Sequence, residues 1–235
     1  MTETPRYALY YAPPPRSELG RFGAHLLGYD AFSGKTLRLP VDIEQMLPDW
    51  GELTRDPRKY GFHATLKAPM TLADGTSETE LLTACESFAK APRPTPAIEP
   101  IVNALGDFIA IVPSLPSAEL QALAAEVVEH FDHFRAPLTA QDRVRRNPDQ
   151  LPPRQRDYLD RWGYPYVMEE FRFHMTLTGR LPAERREAVL NILRQRFAAL
   201  DMTSLAVDRL ALFRQDNSAA RFRIVGGWKL TAASG

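Results

Sequence analysis

The chain of 235 residues contains a single cysteine, Cys85, so an intramolecular disulfide and a cysteine-based metal site are both excluded. It carries no net charge either, since 29 Lys and Arg residues balance 29 Asp and Glu residues. That argues against a nucleic-acid coat protein, which binds through a net basic surface, but leaves room for a local basic pocket holding one phosphate group. No apolar run approaches the length that spans a bilayer, and the start Met1–Pro5 lacks the charged and apolar regions of a signal peptide. A cytoplasmic protein with no membrane association is expected. Low-complexity segments and array-type repeats are also missing. With 44% hydrophobic and 25% charged residues, the make-up is that of a globular chain able to bury a core.

The run Arg6–Ala12 is rich in aromatic residues and reads as a strand, stopped by Pro13, Pro14 and Pro15. Ser17 caps a helix that ends at Gly28, whereas residues 30–58 read as mostly irregular. A strand is expected over Tyr60–Ala68. Ser77 and Glu80 have capping-box spacing ahead of a helix bearing Leu81, Cys85 and Phe88 on one side. Two strands follow near Ile98–Leu105 and Phe108–Val112, with Gly106-Asp107 as the turn, and Ser117 opens another helix. Residues 135–157, rich in Arg and Pro, read as a long ordered loop or short helical insert. A strand over Phe171–Thr178, a helix from Pro182 and two closing strands, Leu205–Phe213 and Arg221–Val225, complete an α+β pattern with largely antiparallel pairing.

One short sequence occurs twice. Phe62-His63-Ala64-Thr65-Leu66 matches Phe173-His174-Met175-Thr176-Leu177 at four of five positions, about half a chain apart. In a strand, residues two apart share a face, so His63 projects with Thr65, and His174 with Thr176, while the apolar residues between them face a core. Lys67 continues the first polar face; Arg172 and Thr178 flank the second. Two such faces across a cleft present two imidazoles and two hydroxyls to one ligand, with an arginine able to grip phosphate bidentately. By contrast, His130 and His133 read as an exposed helix face, and Cys85 as a core thiol.

Paired His-x-Thr-Leu strands at this distance resemble the two-histidine (2H) phosphoesterase superfamily, which includes RNA ligase-like and cyclic phosphodiesterase members. The contexts Arg58–Pro69 and Glu170–Arg180 are similar to one bacterial branch linked with phosphonate metabolism, as are Arg6–Pro15 and the Arg-rich stretch before Trp162–Tyr166. The resemblance implies one two-lobed α+β domain over residues 1–235. Two mostly antiparallel sheets with outer helices would flank a central cleft, with one motif in each lobe. It implies hydrolysis of a cyclic phosphodiester without metal or cofactor, with His63 and His174 as the acid–base pair. Thr65, Thr176, Lys67 and Arg172 would bind the phosphate, and Tyr10 and Arg143 are further candidates for substrate contact. The branch points to a small ribose-derived cyclic phosphate as substrate. Two other readings stay open: processing of RNA ends that are 2′,3′-cyclic or 2′,5′-linked, and non-catalytic binding of a phosphorylated ligand. Which histidine is base and which is acid also stays open.

Overall fold

The structure is a computed structural model that describes residues 4–233, so part of the start read above for targeting lies outside the described residues. Strand β1 (Arg6–Tyr11) leads into helix α1 (Glu18–Leu27) and a small hairpin of β2 (Tyr29–Asp30) and β3 (Lys35–Thr36). Short helices α2 (Val41–Met46), α3 (Trp50–Leu53) and α4 (Arg55–Arg58) precede β4 (Ala64–Met70) and α5 (Glu78–Lys90). Next come β5 (Ala97–Ile98), the hairpin of β6 (Pro100–Leu105) and β7 (Phe108–Pro113), and α6 (Ala118–His130). The insert holds α7 (Ala140–Val144) and α8 (Pro153–Trp162). The chain closes with β8 (Met175–Thr176), α9 (Ala183–Ala198), β9 (Leu205–Ala206), β10 (Arg209–Gln215) and β11 (Arg223–Lys229).

The expected caps are in place. Ser17 accepts the Gly20 N–H, and Gly28 closes α1 in the left-handed region at φ 68°. The Ser77–Glu80 capping box forms in both directions, and Ser117 accepts from Leu120. Cys85 is buried in the core, where burial pushes its thiol up to about 12, a state without nucleophilic thiolate. The segment expected to be irregular instead forms α2, α3 and α4, because Ile43 and Trp50 find a core to pack against and the proline spacing leaves room for single turns.

The α+β architecture is built on antiparallel pairing throughout the main sheet, whose seven strands run in the order β11-β10-β1-β4-β8-β7-β6. The strands on either side of its middle form two half-sheets fused edge to edge by one pairing, Ala64 with Met175. The two motif strands are therefore neighbours at the centre. β8 is shorter than its sequence suggests: beyond Thr176 the amides of Leu177 and Thr178 both turn to the Ile109 carbonyl.

Alternation along β1 separates two faces. Tyr7, Leu9 and Tyr11 join the large core beneath the helices, while Ala8, Tyr10 and Ala12 join a smaller cluster with Phe213 and Phe222. Helix α1 packs so closely on the residue preceding His63 that a Cβ placed on Gly23 would lie 2.0 Å from the Phe62 ring. Gly→Ala inside a helix ordinarily stabilises by up to about 1 kcal/mol. At Gly23 we expect the opposite sign, a loss of roughly 1–3 kcal/mol from overpacking, measured by urea denaturation. A stabilised Gly23→Ala protein would contradict this packing.

Candidate active site

The backbone turns just before the first motif, with Gly61 at φ 77°, a conformation glycine adopts without strain. A Cβ there would also meet the Ala31 side chain at 2.8 Å. The turn aims the Gly61 carbonyl back at the His63 ring, 2.9 Å from Nδ1. The second motif does the same with different residues: His174 Nδ1 lies 2.7 Å from the Arg172 carbonyl. A carbonyl only accepts, so each Nδ1 carries the hydrogen and each neutral ring keeps a lone pair on Nε2. Sequence reading did not single out Gly61; its only signal was an isolated glycine at the head of a strand.

His63 stacks on Tyr10, with ring centroids 3.9 Å apart and planes 22° from parallel. Its Nε2 is 3.4 Å from the Thr65 hydroxyl. Extending the Ala64–Met175 register by one residue each way sets Thr65 opposite His174 and His63 opposite Thr176. Thr65, His174 and Arg172 line a cavity of about 500 Å³, together with Phe108, Tyr164 and Glu170. Phe108 approaches the His174 ring, at 5.7 Å between centroids.

Both imidazoles are held below their ordinary pKa. Burial drives His63 from 6.5 to about 4; the Gly61 carbonyl opposes the fall and the His174 charge adds to it. Burial also lowers His174, against the opposing bond to the Arg172 carbonyl. No carboxylate is among the groups that set either value. Tyr10 is fully buried and its phenol is pushed well above 10, chiefly by desolvation, so it serves as a neutral platform.

Of the residues expected at the phosphate, His63, His174, Thr65 and Thr176 are brought to the central seam, and Arg172 reaches the cavity with an exposed side chain. Tyr10 arrives as a support beneath His63. Lys67 does not join them. Tyr10 pairs with Thr65 but its neighbour Leu9 pairs with Lys67, so β4 carries one extra residue, Leu66, in a β-bulge. The bulge breaks the alternation and puts Lys67 opposite Leu9, on the helix side. There its ammonium donates to Asp132 at 2.9 Å and to the Val128 carbonyl at 3.1 Å. Arg143 is also elsewhere, bound through two nitrogens to Asp160 on α8. Thr178 is fully buried and accepts the Ile109 amide.

Among the described residues, no group of three or more His, Cys, Asp or Glu side chains is arranged to hold a metal ion. No described helix is long and apolar enough to cross a membrane.

The depressed His63 pKa has a consequence for stability. As pH falls from 6.5 towards 4 the unfolded chain takes up a proton that folded His63 refuses, so stability drops across that window and is level above it. His63→Asn is expected to flatten this slope, by at most about 3 kcal/mol, in chemical denaturation at pH 7 and pH 4.5. An unchanged slope in the variant would show that the ring is not desolvated.

The chain is 38% identical over 227 residues to "Ribose 1,5-bisphosphate phosphokinase PhnN" of Janthinobacterium sp. (strain Marseille), covering 92% of this chain and 49% of that protein. It is 32% identical over 236 residues to the protein of the same name from Laribacter hongkongensis (strain HLHK9), covering 97% and 53%. The chain thus spans about half the length of the curated relatives it matches. Solved structures with a similar fold include a phosphoesterase at TM-score 0.42 and 12% identity, covering 97% of this chain and 99% of that one. E. coli LigT complexed with 3'-AMP is similar at TM-score 0.37, 12% identity and the same coverages. The protein ATU0111 from Agrobacterium tumefaciens str. C58 is similar at TM-score 0.47 and 11% identity, covering 95% and 85%. The profile of the family described as "Protein of unknown function (DUF1045)" matches residues 65–223, and the chain belongs to that family.

Proposed function

We propose that the chain is a metal-independent phosphoesterase that opens a cyclic phosphodiester, with His63 as general base and His174 as general acid. The observation that carries this reading is the duplicated restraint: two rings on neighbouring strands, each held by a carbonyl two residues upstream so that Nε2 is the reactive nitrogen. In this reaction the neutral base takes a proton from water as its oxygen bonds to phosphorus. The imidazolium gives a proton to the leaving sugar oxygen as that P–O bond breaks. Thr65 and Thr176 would donate to the non-bridging oxygens as charge builds there, and Arg172 would screen it from the cavity wall.

The environment of each ring supports these proton roles. His63, driven to about 4, is unprotonated over most of the pH range and suits the base. His174 is lowered too, but a bound anionic phosphate next to its ring would restore its proton.

The ribose-derived substrate favoured here fits the relatives' printed name, which refers to a ribose bisphosphate. Their phosphokinase activity asks for a glycine-rich loop running from a strand into a helix. In this chain Gly34-Lys35-Thr36 belongs instead to the β2–β3 hairpin, so we do not extend that activity to it.

The test is hydrolysis by purified protein with excess chelator present. The panel would hold a ribose 1,2-cyclic phosphate, 2′,3′-cyclic nucleotides and a short RNA with a cyclic end. Turnover that survives the chelator and falls about 10²–10⁴-fold in His63→Ala and in His174→Ala is the expected result. Near-wild-type turnover in either variant would refute the acid–base pair. The kcat/KM profile should be a bell on the acid side of neutrality, rising through a pKa near 4 and falling through one below 6.5. A plateau extending above pH 8 would contradict the assigned roles.

A further inference from the structure

A second cavity, of about 260 Å³, lies alongside the first and shares Tyr164 with it. Its lining continues along β4: Thr65 and Leu66 border the first cavity, Lys67 to Thr71 the second. Cationic side chains from β1, from β4, from residue 135 and from the end of α7 surround it, namely Arg6, Lys67, Arg135, Arg145 and Arg146, and Asp142 is the acidic residue of the lining. Arg135 and Lys67 share the Asp132 carboxylate, and Arg145 lies 3.5 Å from Asp142.

Arg6 and Arg146 differ from these. Arg6 donates through Nε, at 2.9 Å, and Nη2 to a single neutral oxygen, Oε1 of Gln215. Gln215 is buried, and its own amide nitrogen is fixed on the Ala220 carbonyl, so its oxygen is locked towards Arg6. A neutral amide thus orients the guanidinium without cancelling its charge. Arg146 lies over the Tyr164 ring at 5.0 Å, again a contact that holds a cation and leaves its charge in place. Two oriented, uncompensated guanidinium groups bordering a small cavity have the donor geometry that a phosphate group takes up.

We propose that this cavity binds a second phosphate group of the substrate, a phosphomonoester remote from the bond that is cut. The proposal rests on the phosphoesterase reading for the first cavity. At about 3.3 Å per strand residue, the three steps from Thr65 to Ala68, one of them through the bulge, separate the two linings by at most roughly 10 Å. That is a distance a phosphorylated pentose can bridge from its cyclic phosphate to its far hydroxyl. The substrate class is then a sugar cyclic phosphate bearing a terminal phosphate, and Tyr164 would sit between the two groups against the sugar.

The experiment compares kcat/KM for a ribose cyclic phosphate with and without a phosphate on its terminal hydroxyl, in the wild type, Arg146→Gln and Arg6→Gln. Alongside it, calorimetry measures ribose 1,5-bisphosphate and ribose 5-phosphate binding to the same three proteins. Arg146 is exposed, so its variant keeps the test open if Arg6→Gln fails to fold. The wild type should prefer the doubly phosphorylated substrate, and each variant should cut that preference on the order of tenfold, mainly through KM. Equal kcat/KM for the two substrates in the wild type would overturn the subsite while leaving the phosphoesterase reading standing. Arginine-dependent bisphosphate binding with no turnover of any cyclic phosphate would support the subsite and count against that reading. Inorganic phosphate that binds in an arginine-dependent way but alters neither substrate's kinetics would assign the cavity to a free anion and overturn the proposal.

Discussion

The pairing of Ala64 with Met175 is the constraint on which the rest of the molecule depends. It is the one residue pair that joins β4 to β8, and so joins two half-sheets into one antiparallel sheet. A longer ladder would have tied the strands along their length and filled the space beside them with backbone hydrogen bonds. With one pair, the edges on either side of it are left to side chains. The residues flanking the pair are the histidine and threonine of each motif, so the seam that holds the sheet together also sets the spacing of the two imidazoles and two hydroxyls.

Each imidazole is restrained from two sides. A backbone carbonyl fixes which nitrogen bears hydrogen, and the packing of the ring fixes its plane: Tyr10 lies flat under His63, and Phe108 approaches His174 at an angle. The same burial that immobilises the rings makes their charged forms costly, which is why both are lowered. Pre-organisation and pKa depression are two results of one desolvated environment. A bound phosphate would add the negative charge that this environment lacks.

Much of this was legible in the sequence, and the parts that were not share a cause. The caps at Ser17, Ser77 and Ser117, the turn at Gly106 and each of the two motifs taken singly are local, decided by residues within a few positions of one another. Lys67 was misplaced because parity assumes an unbroken ladder, and the bulge at Leu66 exists only in the pairing of β4 with a strand some sixty residues earlier. Arg143 looked free for a ligand because Asp160 lies seventeen residues on, across the insert. Helices α2 to α4 were hidden because single turns in a proline-rich stretch are stabilised by burial of Ile43 and Trp50, not by propensity. Gly61 carries the same lesson: its role lies in where its carbonyl points.

The most direct measurement is the ring nitrogen NMR spectrum of ¹⁵N-histidine-labelled protein, recorded across pH with and without a cyclic phosphate that the protein binds. The account predicts that His63 and His174 are both Nδ1–H tautomers at neutral pH, that both titrate below 6.5, and that the ligand moves the His174 titration upward. An Nε2–H tautomer at either ring, or two independent titrations near 6.5 unaffected by ligand, would contradict a two-histidine acid–base pair.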